Sequence, residues 1–157
     1  MSNKNAFLMK HKENTSKKQQ AEEELTKDIA FYQKETQRLL NTVEHWFHDI
    51  PVQYKKWENS LTEHVAPEII YHVPGMTLIN GTKRLLITPM GMYCLGGVKG
   101  RLLVSLEMSG ETKNLFECRL NDSRTDFDEW AIVDCANRRK ITPFNIETFF
   151  DFIVEFA

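Results

Sequence analysis

Four glycines fall within LLITPMGMYCLGGVKGR, residues 85–101, at Gly91, Gly96, Gly97 and Gly100, with Lys99 beside the last of them. A phosphate-cradling loop needs a strand, then the order G-x-x-x-x-G-K-[ST], then a helix whose first amides meet the phosphates. Gly91 and Gly96 have that interval, but Gly97 stands where lysine belongs and Val98 where serine or threonine belongs. The residues that follow, Arg101 to Glu107, are rich in strand formers and carry no helix start. The glycines therefore read as turn residues between antiparallel strands. A backbone nest for an anion, assisted by Lys99 and Arg101, is the minority reading.

Other residue types invite chemistry at weaker spacing. His45 and His48 lie three apart near a helix end, with Asp49, His64 or His72 as third metal ligands, but there is no cysteine pair and no HExxH order. Their simpler role is as surface groups at the negative end of a helix dipole. Asp122, Asp126, Asp128 and Glu129 supply oxygens for calcium, yet the loop lacks the glycine of an EF-hand and contains Arg124. It reads as a charged face for a basic partner. Cys94, Cys118 and Cys135 sit in apolar, strand-like runs, which suits reduced, inert thiols rather than nucleophiles or disulfides. These features argue against an enzyme, and no metal or cofactor is expected.

Basic residues gather at two places. Lys99, Arg101, Arg138, Arg139 and Lys140 offer a patch for an anion or nucleic acid. Residues 1–20 carry five lysines against Glu13, a local charge of +4 within a chain whose net charge is −2. That segment has no hydrophobic period and reads as a disordered tail over 1–18. No RNP, zinc-finger or helix-turn-helix signature accompanies these charges.

The elements that must position these groups follow from periodicity. Leu25, Ile29, Tyr32, Thr36, Leu39, Val43 and Trp46 alternate at intervals of four and three, the spacing of one helical seam, and the helix is expected to begin close to Ala21. Such a helix is long for a small domain, and Leu25, Ile29, Tyr32, Leu39 and Val43 offer a route to a homodimer. Ile50, Tyr54, Trp57 and Leu61 repeat at four, three and four, which predicts a second, shorter helix over 52–65, stopped by Pro67. From Glu68 the period falls to two, with turn signals at Pro74-Gly75, Asn80-Gly81 and Ser109-Gly110, so five or six antiparallel strands are expected over 68–136. Over 143–157, Ile146, Phe149, Phe150, Ile153 and Phe156 share one helical face, with Glu147, Asp151 and Glu155 on another.

The expectation is one α+β domain over 19–157: a helical hairpin over 19–66, an antiparallel meander and a helix closing on the sheet. With 157 residues, 41% hydrophobic and 27% charged, the chain has globular composition. No run approaches the roughly 20 apolar residues of a bilayer span, and the start lacks a signal-peptide pattern, so a cytoplasmic location is expected. This arrangement is broadly similar to small cytoplasmic chaperones and immunity proteins of bacterial secretion systems. The similarity implies a non-enzymatic protein that sterically covers another protein, through Tyr54 and Trp57 or through Asp122, Asp126, Asp128 and Glu129. The alternatives are a nucleic-acid-associated protein using the basic groups, and a ligand-binding domain or enzyme with a pocket between sheet and helices.

Overall fold

A computed structural model describes residues 2–92, 99–121 and 130–157. Helix α1 spans Asn3–Trp46 and is followed by seven strands: β1 (Gln53–Glu63), β2 (Ala66–Asn80), β3 (Lys83–Gly91), β4 (Gly100–Met108), β5 (Glu111–Leu120), β6 (Trp130–Asp134) and β7 (Ile141–Pro143). Helix α2 (Ile146–Phe152) and a single 3₁₀ turn (Val154–Phe156) end the chain. The strands form one antiparallel meander in the order of the sequence.

Three expectations are corrected. There is no second helix before the sheet: residues 53–63 are the edge strand β1, paired with β2 from Gln53 opposite Ile79 to Leu61 opposite Tyr71. The true inward positions are Trp57, Asn59, Leu61 and Glu63, a period of two. Asn59 and Glu63 are polar, so the alternation is invisible to a hydrophobic pattern and the aromatic spacing imitates a helix. Asn59 Nδ2 donates to the Pro89 carbonyl at 2.8 Å, and Glu63 accepts internal hydrogen bonds, so both are polar residues with partners. Without the helical hairpin, the architectural similarity to secretion chaperones and immunity proteins loses its basis.

The sheet has seven strands rather than five or six. Pro74-Gly75 is not a turn but lies inside the 15-residue β2. β3 pairs with β2 over Met76–Asn80, so Pro74 lies outside that pairing, in the part of β2 that pairs with β1. The additional strand β7 forms on β6 through Ile141, Thr142 and Pro143. The expected strand after Gly91 lies mostly outside the described residues.

The third correction concerns the helices. α1 begins at Asn3, capped by the Ser2 side chain, where the sequence reads as an unstructured tail. α2 has only seven residues and starts from Asn145, whose side chain and that of Thr148 cap each other's backbone amides.

The core lies on one face of the sheet. Leu102, Val104 and Leu106 on β4 and Phe116, Cys118 and Leu120 on β5 alternate into it. Leu25, Tyr32, Leu39, Leu40 and Val43 of α1 meet them from above, with Phe149, Ile153 and Phe156 closing one end. The Asn80-Gly81 hairpin also fastens the C-terminus: Asn80 Nδ2 donates to the Phe156 carbonyl at 2.8 Å, and Lys83 Nζ to those of Glu155 and Ala157.

Candidate functional site

The helix seam is committed to the chain's own core. Leu25, Tyr32, Leu39 and Val43 are buried against the sheet and Ile29 is partly buried there. Continuing the same spacing toward the N-terminus gives Glu22, Lys18, Thr15, His11, Leu8 and Lys4, with one apolar residue among six. The face proposed for a homodimer is thus the intramolecular face, and the exposed helix does not extend it.

Every residue from Ser2 to Glu24 is exposed, while the helix itself continues unbroken into the packed half. At about 1.5 Å per residue these turns project roughly 33 Å as an arm. The arm carries Lys4, Lys10, Lys12, Lys17 and Lys18, and near its tip Phe7 and Met9 are 70% and 61% exposed. An ion pair, Lys17 with Glu13 at 3.3 Å, braces it. The lysines are distributed over more than half of the helix circumference, so they form no single stripe along one side.

On the sheet face opposite α1 the structure brings together two residues of the expected basic patch and adds two more. Arg101 on β4 stands directly across from Arg119 on β5, a like-charge pair that requires compensation. Glu117 supplies it. Arg119 donates from Nε and Nη2 to Glu117 Oε2 at 2.9 and 2.8 Å. Arg138, on the turn between β6 and β7, reaches the same oxygen at 3.5 Å, and Arg101 Nη1 faces Oε1 at 3.9 Å. Burial pushes the Glu117 carboxyl up, but the Arg119 hydrogen bonds and the charges of Arg119, Arg138 and Arg101 outweigh it and hold the group below its ordinary value. Three guanidiniums thus surround one carboxylate. The signal for Glu117 and Arg119 was their i, i+2 spacing on a strand opposite Arg101, which has meaning only once the register is known.

The rest of the basic patch disperses. Lys99 lies 3.9 Å from Asp28 of α1, Lys140 sits over the Phe152 ring at 5.2 Å, and Arg139 is exposed. Trp57 is not a free anchor: its ring covers Gly75, and Nε1 donates to Thr77 Oγ1 at 3.0 Å. Tyr54 keeps an exposed ring, while its hydroxyl donates to Glu44 Oε1 at 2.5 Å and Lys56 pairs with the other oxygen at 3.0 Å. That hydrogen bond from Tyr54, aided by Lys56, holds the Glu44 carboxyl below its ordinary value. Asp122, Asp126, Asp128, Glu129 and Cys94 lie outside the described residues.

Inside the fold, the Tyr32 hydroxyl donates to the Arg101 carbonyl at 2.5 Å and accepts from the Gly91 amide at 3.4 Å. Buried Glu63 accepts from Tyr71 and from the Met92 amide. Burial drives the Tyr32 phenol far above its ordinary range, so it stays protonated and acts as a structural donor. Cys118 is buried and free, its thiol also pushed up by burial, and Cys135 is shifted in the same direction. Among the described residues no three His, Cys, Asp or Glu side chains are grouped as metal ligands, and His45 and His48 are 6.5 Å apart between ring centroids. Among the described residues, buried side chains of α1, the sheet and the C-terminal segment pack together as one hydrophobic core. A groove of about 330 Å³ remains at one end, lined by Arg38, Trp46, Trp130 and Phe144.

Fold and surface define an α+β protein in which a helix-covered antiparallel meander carries a projecting basic helical arm. Against known proteins the chain finds no match: no family model, no curated protein and no solved structure. Among the described residues no helix is long and apolar enough to cross a membrane.

Proposed function

We propose that this is a non-enzymatic protein-binding protein that acts by sterically covering its partner, with the α1 arm as the contact. The supporting observation is the arm itself: helical turns exposed on all sides, continuous with a helix anchored in the core. Most helical stability in proteins comes from tertiary packing, which the exposed turns of this arm lack. A partner that encloses the arm completes it, in the manner of a helix seated in a groove. The lysines call for an acidic groove, and Phe7, Leu8 and Met9 for an apolar floor under the tip. Nucleic acid fits the arm less well, because phosphate tracking favours basic residues along one side.

The test compares the full chain with a variant lacking residues 2–20, each tagged at the C-terminus and used for nuclease-treated affinity capture from the native host. A protein retained stoichiometrically by the full chain and lost with the arm, or with Lys10, Lys12, Lys17 and Lys18 changed to Glu, is the expected result. Equal retention by both chains overturns the placement. Retention only when nuclease is omitted, with affinity falling steeply in salt, selects the nucleic-acid reading instead.

A further inference from the structure

We propose that the groove between α1 and the β6–β7 end of the sheet binds an uncharged, flat heteroaromatic ligand, whose ring acceptor takes the indole N–H of Trp130. Trp130 is the first residue of β6, stands opposite Leu120, and shares the core face of the sheet with Ile132. It is 6% exposed. Its Nε1–H is buried, and among the described residues no acceptor meets it. Trp57 shows the ordinary outcome for an indole in this fold, with Nε1 donating to Thr77 Oγ1 at 3.0 Å. A buried donor without an acceptor is costly, and such a group calls for a partner.

The same indole lines the groove of about 330 Å³. Phe144 is held beside it by its backbone amide, which donates to the Trp130 carbonyl at 3.0 Å. Trp46 of α1 stacks on Phe144, with ring centroids 5.3 Å apart and planes inclined by 28°. Leu39 also lines the groove and lies seven residues before Trp46, on the same face of the helix. Walls of this kind favour a flat ring in offset or edge-on contact. The charged lining residues are Glu35 and Arg38, which pair with each other at 3.1 Å. Their charges cancel, so the lining suits a neutral ligand rather than an ion. The volume lies at the small end of the range for ligand sites and suits one bicyclic ring better than a larger cofactor. The unpaired indole donor then prefers a ring with an acceptor over an apolar ring of the same shape.

Titration of the nitrogen-15-labelled full chain at neutral pH with quinoline, and with naphthalene as the same shape without the ring nitrogen, tests this. The chain has three tryptophans, and the indole N–H signal lost in Trp130→Phe is the one from the groove. Saturable quinoline binding that moves this signal downfield is expected. The ratio of quinoline to naphthalene affinity should fall about tenfold in Trp130→Phe, the loss appropriate to one hydrogen bond. Taking the ratio cancels the difference in hydrophobicity between the two probes. An indole that holds an ordered water, or stays bare, gives the same ratio in both chains; that result, or no saturable binding of quinoline, overturns the site. If Trp130→Phe does not fold, the signal is assigned by elimination with Trp46→Phe and Trp57→Phe. A downfield shift with quinoline and none with naphthalene then upholds the site, and equal shifts or none overturn it. Deleting residues 2–20 should leave quinoline binding intact, so failure here and failure of the arm are separate results.

Discussion

At Gly100 the smallest side chain is required by a neighbour. A β-carbon there would run into the Tyr32 ring, which is fully buried and tied through its hydroxyl to the Arg101 carbonyl, so it has no room to retreat. We expect Gly100→Ala to destabilise the fold by about 1–3 kcal/mol, the usual cost of overpacking a filled core, measured as a lower urea midpoint with an unchanged slope. An unchanged midpoint would mean that Tyr32 can move. Gly91 has a different constraint, a φ of +128° at the irregular end of the β3–β4 pairing. Both glycines belong to the run that resembles a phosphate loop, and reading them as turn residues identifies neither a bulge nor a close approach. A ring arriving from a helix some 70 residues away leaves no local mark.

Among the elements, α1 divides into two halves with opposite dependence on tertiary contact. Residues 25–46 bury an apolar seam against the sheet, whereas 2–24 touch no core. Removing residues 2–20 should therefore leave the thermal midpoint of the domain within a few degrees of the full chain, a change below about 0.5 kcal/mol, as for surface substitutions. A larger fall would show the arm packing on the domain in solution. The seam residues were legible as a helix because their period of 3.6 survives in the sequence; their use was not, since an exposed seam and a covered one have the same pattern. β1 shows the reverse case. Its alternate positions Asn59 and Glu63 are polar yet turned inward, so hydrophobic periodicity pointed to the wrong element.

For the whole molecule, the hydrophobic core of the described residues lies between the sheet and its covering helix, closed at one end by rings from three distant segments. Phe149 of α2 lies 5.5 Å from Trp46, 6.4 Å from Phe47 and 6.0 Å from Phe116 between ring centroids, edge-on to the two phenylalanines. Phe149→Ala should cost about 3–5 kcal/mol and lower the unfolding midpoint monitored by tryptophan fluorescence and by far-ultraviolet dichroism together. Loss of the fluorescence transition alone would show that the C-terminal segment is a separable flap.

The sequence by itself determined an antiparallel meander with hairpins at Asn80-Gly81 and Ser109-Gly110, the helical seam and the aromatic face of the C-terminal segment, because each is a local period or a turn preference written in neighbouring residues. Only the tertiary structure decided that residues 53–63 form a strand, that the seam covers the chain's own sheet, and that Arg101, Arg119 and Arg138 meet at Glu117. Those outcomes depend on strand register and on contacts between segments far apart in the chain, and such contacts are set by the packing of the whole rather than by any stretch that a reader can inspect alone.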